Sequence, residues 1–171
     1  MSVSLHAASI GVFRQHLIGL DLILDKLAAH CAEQNIDESV YLTARLFPDM
    51  FAFTRQVQVA CDFAKNPSFR LAGAEPPALA DDEKSIADLK ARIAKTLALI
   101  ATLAPGDVDA GDARMINFRT GPETQASLPG AIYLSNFALP NFFFHITTAY
   151  AILRNNGLAI GKRDFFGPMP A

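Results

Sequence analysis

Residues 4–34 constrain this 171-residue chain more than any other stretch. Leu5, Ala8, Val12, Phe13, His16, Leu20, Ile23, Leu24, Leu27 and Cys31 recur at three- and four-residue steps. That spacing puts them on one broad side of an α-helix, while Asp21, Asp25, Lys26 and Glu33 occupy other faces. Such a helix would extend about 45 Å, the length of a bundle rod. Gly11 and Gly19 lower helix propensity without ending the pattern, and they permit close approach by a neighbouring helix. A rod with one apolar side has to be covered by other helices, so the rest of the chain is read for them.

Residues 35–38 break the first helix, and 41–47 read as a short extended or one-turn connection. Pro48 and Asp49 suit a helix start, because proline lacks an N–H and an acid favours the positive end of the helix dipole. They predict a second helix to about Lys65, with Phe53, Val57, Ala60, Cys61 and Ala64 facing inward and Asn66-Pro67 ending it. Gly73, Pro76 and Pro77 make 68–80 irregular. Asp81, Asp82 and Glu83 read as the acidic start of a third helix carrying Ile86, Leu89, Ile93, Leu97 and Ile100, closed by Pro105-Gly106. Residues 113–118 and 123–128 flank a Thr120-Gly121-Pro122 turn, as in a small hairpin that must rest on the helices. A fourth helix starts near Tyr133 or Leu134, passes Pro140 with a bend and stops at Asn155. The expectation is an all-α protein: one domain over 1–171, a four-helix bundle whose long crossover carries a small β-hairpin.

Apolar residues make up 51% of the chain and charged residues 19%. That surplus points to a core with little polar content or to burial against a second subunit. A net charge of -2 and the lack of any Lys/Arg cluster exclude nucleic acid as the expected partner. Cys31 and Cys61 form neither a CxxC nor a metal-knuckle pattern and read as buried free thiols. Residues 1–9 lack a basic leader, and Arg14, His16, Asp21, Asp25 and Lys26 interrupt the first helix. No uninterrupted apolar run reaches spanning length, so neither a signal peptide nor a membrane is expected, and the location is cytoplasmic.

The histidines are His6, His16, His30 and His145. His16 lies on the apolar side of the first helix. His145 lies inside the fourth, three residues after Phe142 and four before Ala149. Imidazoles facing each other from packed helices bind metals or exchange protons; alone, each donates a hydrogen bond and supports packing. Asp49, Gln56 and Asp62 are the oxygen donors of the second helix, at steps that only roughly keep one face. No HExxH, HxxxH or di-iron ExxH pattern is present, nor a GxSxG elbow or Walker loop. No metal is expected; His16, Asp62 and His145 are the candidates if one binds. The tail 162–166, with Arg163, Asp164, Phe165 and Phe166, reads as a cap over the bundle or a partner subunit, or as a ligand gate.

Five motifs carry a family resemblance: Phe47-Pro-Asp-Met50, Gln56-Val-Gln58, Leu139-Pro-Asn141 with Phe144-His145, the run from Ala149 to Arg154, and Gly161-Lys-Arg-Asp164. Together the chain resembles a bacterial domain-of-unknown-function family in the DinB/YfiT-like superfamily. The resemblance implies a DinB-like four-helix bundle, often dimeric. In the wider superfamily it implies a divalent metal held by one histidine of the second helix and an HxxxH pair on the fourth, with transfer or isomerisation of thiol compounds. Here His145 matches the first position of that pair, Ala149 stands at the second, and the predicted second helix has no histidine. The leading functional expectation is a homodimeric bundle with a structural or small-ligand-binding role. The alternative is a divergent small-molecule transferase or hydrolase, with or without a metal: His16 and His145 bind metal or exchange protons, Gln56 or Asp62 assists, and Arg163 receives an anionic group. Whether the chain is an enzyme stays open at this point.

Overall fold

The computed structural model describes residues 3–121 and 123–169. Met1, Ser2 and the Pro122 of the expected turn lie outside the described residues. The first rod begins with a π-turn, Ala7–Gly11, and continues as α1, Val12–Gln34. Asn35, in the left-handed region at φ 53, ends it, and the Ile36 amide returns to the Cys31 carbonyl at 2.9 Å. Phe13, Leu17, Leu20, Leu24 and Leu27 have at most 1% of their surface exposed. Together Ala7–Gln34 are long and apolar enough to cross a membrane by length and composition alone, which the sequence reading did not expect. Half of its most apolar 18-residue window is buried inside the bundle, as in a core helix.

One helical turn, α2 (Ser39–Leu42), leads to the second rod, α3 (Phe53–Leu71). Two expected boundaries are wrong here. Pro48 and Asp49 lie in a turn before the helix, and α3 starts at the fully buried Phe53. Asn66-Pro67 does not stop it. The buried Pro67, Ser68 and Leu71 carry the helix one more turn, and the Ser68 hydroxyl donates to the Ala64 carbonyl at 2.7 Å. Burial of that last turn outweighs the hydrogen bond proline forfeits.

The third rod, α4 (Ile86–Ala101), is not capped by the acidic run. Ser85 is the N-cap, its side chain accepting from the Asp88 amide. Asp81 and Glu83 instead reach Arg92, at 3.0 and 2.8 Å. Arg92 also donates to the Ala80 carbonyl and Lys65 to that of Pro77, at 2.7 and 2.6 Å, which holds the irregular connection onto α3 and α4.

A one-turn helix that the sequence reading missed, α5 (Pro105–Asp109), precedes strands β1 (Met115–Arg119) and β2 (Gln125–Pro129). The strands pair antiparallel, with Met115 opposite Pro129 and Arg119 opposite Gln125. Ile116 and Phe118 face the bundle. Gly111 and Gly130 bring the hairpin base against Leu71 so closely that neither position has room for a side chain. The chain returns through α6 (Gly130–Tyr133) and a π-turn, Leu134–Ala138, into the fourth rod, α7 (Leu139–Asn155). The π-turn precedes Pro140, where a missing N–H would otherwise interrupt the helix. α3 packs chiefly on α7 and α4, and among the rods α1 packs mainly on α4. The tail helix α8 (Lys162–Phe166) docks on α1. This is the expected four-helix bundle with a hairpin in its crossover.

Candidate functional site

α3 and α7 cross where Gln56 meets His145. The imidazole Nδ1 lies 2.8 Å from Gln56 Oε1, and both residues are buried. The Gln56 amide nitrogen donates to the Phe51 carbonyl at 3.3 Å, so its oxygen is the atom turned toward the imidazole. An amide oxygen only accepts, hence His145 Nδ1 carries the proton and Nε2 holds the lone pair. Nε2 has no partner among the described residues. The buried side-chain atoms without one there are Arg92 Nε and Thr96 Oγ1, so Nε2 reaches water.

Burial, and secondarily the charge of Arg55, lower the His145 pKa from 6.5 to about 4. Arg55 is held by Asp81 and by Gln58 Oε1, and it lies over the Phe51 ring, 5.8 Å from its centre. Phe51 and Phe63 run nearly parallel to the imidazole, with centroids at 6.4 and 5.9 Å, and Phe144 meets it edge-on at 5.1 Å. The result is a neutral imidazole of one tautomer, aromatic-walled, with a single open acceptor.

The other candidates lie elsewhere. His16 donates through Nδ1 to the Val12 carbonyl at 3.0 Å and sits among Phe142, Phe143, Phe165 and Phe166. It shares none of these aromatic neighbours with His145, so the two imidazoles do not form one site. Asp62 turns to Arg92 and Lys65, at 3.2 and 3.4 Å. Arg163 is exposed on α8, which packs against α1 rather than at the crossing of α3 and α7. The tail does cap the bundle: Asp164 pairs with Lys26 at 2.7 Å, and Phe165 packs on His16 and Tyr150. Both cysteines are buried and free, and burial pushes the Cys61 thiol up to about 12. Sequence reasoning missed two residues of α3: Phe63, which packs on the imidazole, and Arg55, whose charge acts on it.

A three-histidine metal centre does not fit these residues. The α3 side chain facing His145 is an amide whose oxygen is already taken, and Ala149, fully buried one turn along α7, has no donor atom. Among the described residues no three His, Cys, Asp or Glu side chains converge.

Residues 5–166 match the family described as "Domain of unknown function (DUF1993)". Among solved structures, the crystal structure of a DinB family member protein from Shewanella denitrificans is similar, with a TM-score of 0.89 and 37% sequence identity over 98% of this chain and 94% of that chain. The two share one fold along nearly their whole lengths. No curated protein matches the chain.

Proposed function

Because the chain belongs to the DUF1993 family and has a DinB-like fold without a three-histidine donor set, we propose that it is a small-ligand-binding bundle whose recognition group is the neutral imidazole of His145. The observation carrying this reading is the 2.8 Å bond from His145 to Gln56, which fixes the tautomer and leaves Nε2 as an acceptor. A proton-transfer group works best with a pKa near the working pH, and about 4 is far below neutrality. As a hydrogen-bond acceptor between apolar walls the same imidazole is well placed. It favours a compact, largely apolar ligand with one N–H or O–H donor.

The bundle works as a homodimer in this reading. Leu46, Phe47, Phe51 and Phe144 are exposed, Phe51 and Phe144 by 51% and 58%. These two rings rim the His145 niche, and an apolar rim of that kind favours a second copy. The two free thiols fit the cytoplasm, where cysteines stay reduced.

Calorimetric titration with Zn²⁺, Ni²⁺ and Mn²⁺ tests the metal-free part, and ligand-observed NMR with phenol and benzamide tests the acceptor. Saturable binding of either probe that is lost in His145→Ala, with no stoichiometric metal uptake, is expected. One metal per chain bound through His145 would instead establish the metal-dependent alternative. Probe binding that His145→Ala leaves unchanged would remove the imidazole from recognition.

A further inference from the structure

A second site lies beyond the His145 niche, where the hairpin leans on the last two turns of α3. The space enclosed there is about 410 Å³, within the range of ordinary small-ligand sites, roughly 300–1,000 Å³. Its apolar walls are Phe63, Phe118 and Phe137. Phe137 meets Phe118 at 4.3 Å and Phe63 at 5.8 Å between ring centres. Asn66, Asn117 and Gln125 line it as well, together with Arg70 and Arg119.

The charge on these walls is not balanced. Asp62 is the acidic residue lining the space, and its carboxylate already serves Arg92 and Lys65. In that neighbouring network Arg55, Lys65 and Arg92 are matched by Asp62, Asp81 and Glu83. Arg70 and Arg119 have no carboxylate partner among the described residues. Arg70, half-buried, donates to the Tyr133 hydroxyl at 3.1 Å. That hydroxyl belongs to a fully buried ring, so it steadies the guanidinium while leaving its other donors free. Arg119 closes β1 directly opposite Gln125, exposed, beside the cavity mouth. Two arginines without carboxylate partners at the edge of a space walled by aromatic rings suit a flat molecule with an anionic head.

We infer that the cavity between α3, the hairpin and Phe137 binds a small aromatic anion. Arg70 and Arg119 hold its carboxylate or phosphate, and its ring lies against Phe63, Phe118 and Phe137. His145 takes no part in this site, so the inference does not depend on the acceptor role given to that imidazole.

Amide-resolved NMR titration of the full chain separates the possibilities, using phenyl phosphate, benzoate, inorganic phosphate and benzyl alcohol as probes. Phenyl phosphate or benzoate should give saturable shifts at residues 66–70 and 117–125, and whichever binds tighter identifies the head group. Inorganic phosphate and benzyl alcohol should each bind at least about tenfold more weakly, since each lacks half of the recognised molecule. Arg119→Gln, an exposed change that leaves the core untouched, should weaken the tighter probe at least about fivefold. Arg70→Gln should do the same, and Arg154→Gln, on the exposed side of α7, should not. The inference is overturned by no saturable shift from either aromatic anion at about 10 mM, by equal binding of inorganic phosphate or benzyl alcohol, or by undiminished affinity in both arginine variants. Shifts centred on residues 51–56 and 145 would place the probe in the His145 niche and equally refute it.

Discussion

Acid should weaken this fold through His145 in a predictable window. The imidazole has an ordinary pKa of 6.5 when the chain is unfolded and about 4 in the folded bundle. Between those values the unfolded chain binds a proton that the folded one refuses, so stability rises with pH across the interval. The contribution is complete above about pH 6.5 and disappears as pH falls toward 4. At ~1.4 kcal/mol per pH unit the full interval is worth about 3 kcal/mol. Between about pH 8 and pH 5 roughly 2 kcal/mol should be lost through this one group. His145→Gln is the matching control, since glutamine does not titrate and its amide still reaches the Gln56 oxygen. Urea unfolding of both proteins at the two pH values and at one protein concentration isolates the His145 share. Wild type should lose about 2 kcal/mol more than the variant over that range. Histidine C2–H shifts measured by NMR should place the His145 midpoint near 4. Parallel pH profiles for the two proteins, or a midpoint near 6.5, would refute both the burial argument and the fixed neutral tautomer.

Other perturbations test the frame around the site. Gly167, at φ +64, packs so near Gly19 that an added Cβ would come within 2.8 Å of its Cα; Gly167→Ala should cost about 1–2 kcal/mol and speed proteolysis of the tail, and an unchanged digestion rate would contradict the docked cap. Arg92→Leu strands Glu83, whose side chain is 8% exposed; a loss of about 3 kcal/mol by denaturant unfolding is expected, partly restored by adding Glu83→Gln. Sedimentation at micromolar concentration should show a species heavier than the 18.5 kDa chain; a purely monomeric profile would remove the dimer.

The helical rods were legible because burial repeats along them. The apolar period of α1 and the runs in α4 and α7 are local properties, and the left-handed Asn35 that ends α1 sits where that period stops. The boundaries of α3 were not legible, since Pro48 and Pro67 are local signals overruled by burial at Phe53 and Leu71. The run 81–83 misled for a related reason. Acids ahead of an apolar stripe read as a helix start, whereas Asp81 and Glu83 are taken by an arginine two turns into α4, a partner that only the packed structure reveals.

The candidate site divides along the same line. His145 stood out as a polar residue inside an apolar helix, and Gln56 as a side-chain oxygen on the rod that had to face it. Whether Asp62 joins them is decided by helix geometry. Six residues turn an α-helix through about 600°, leaving Asp62 roughly 120° around α3 from Gln56. Gln56 therefore meets α7 while Asp62 turns to Arg92 on α4. His16 fails as a partner for a different reason. Phe142 and Phe143 pack against it from α7, while His145, one turn further on, faces Gln56. A site built on one imidazole and one amide has a single open lone pair. Binding through that lone pair asks nothing of the carboxylates and second imidazole that metal or proton-transfer chemistry would need. Arg55, Lys65 and Arg92 are matched by Asp62, Asp81 and Glu83, whereas Arg70 has no carboxylate partner among the described residues, which points the search for a ligand toward the hairpin as well as toward His145.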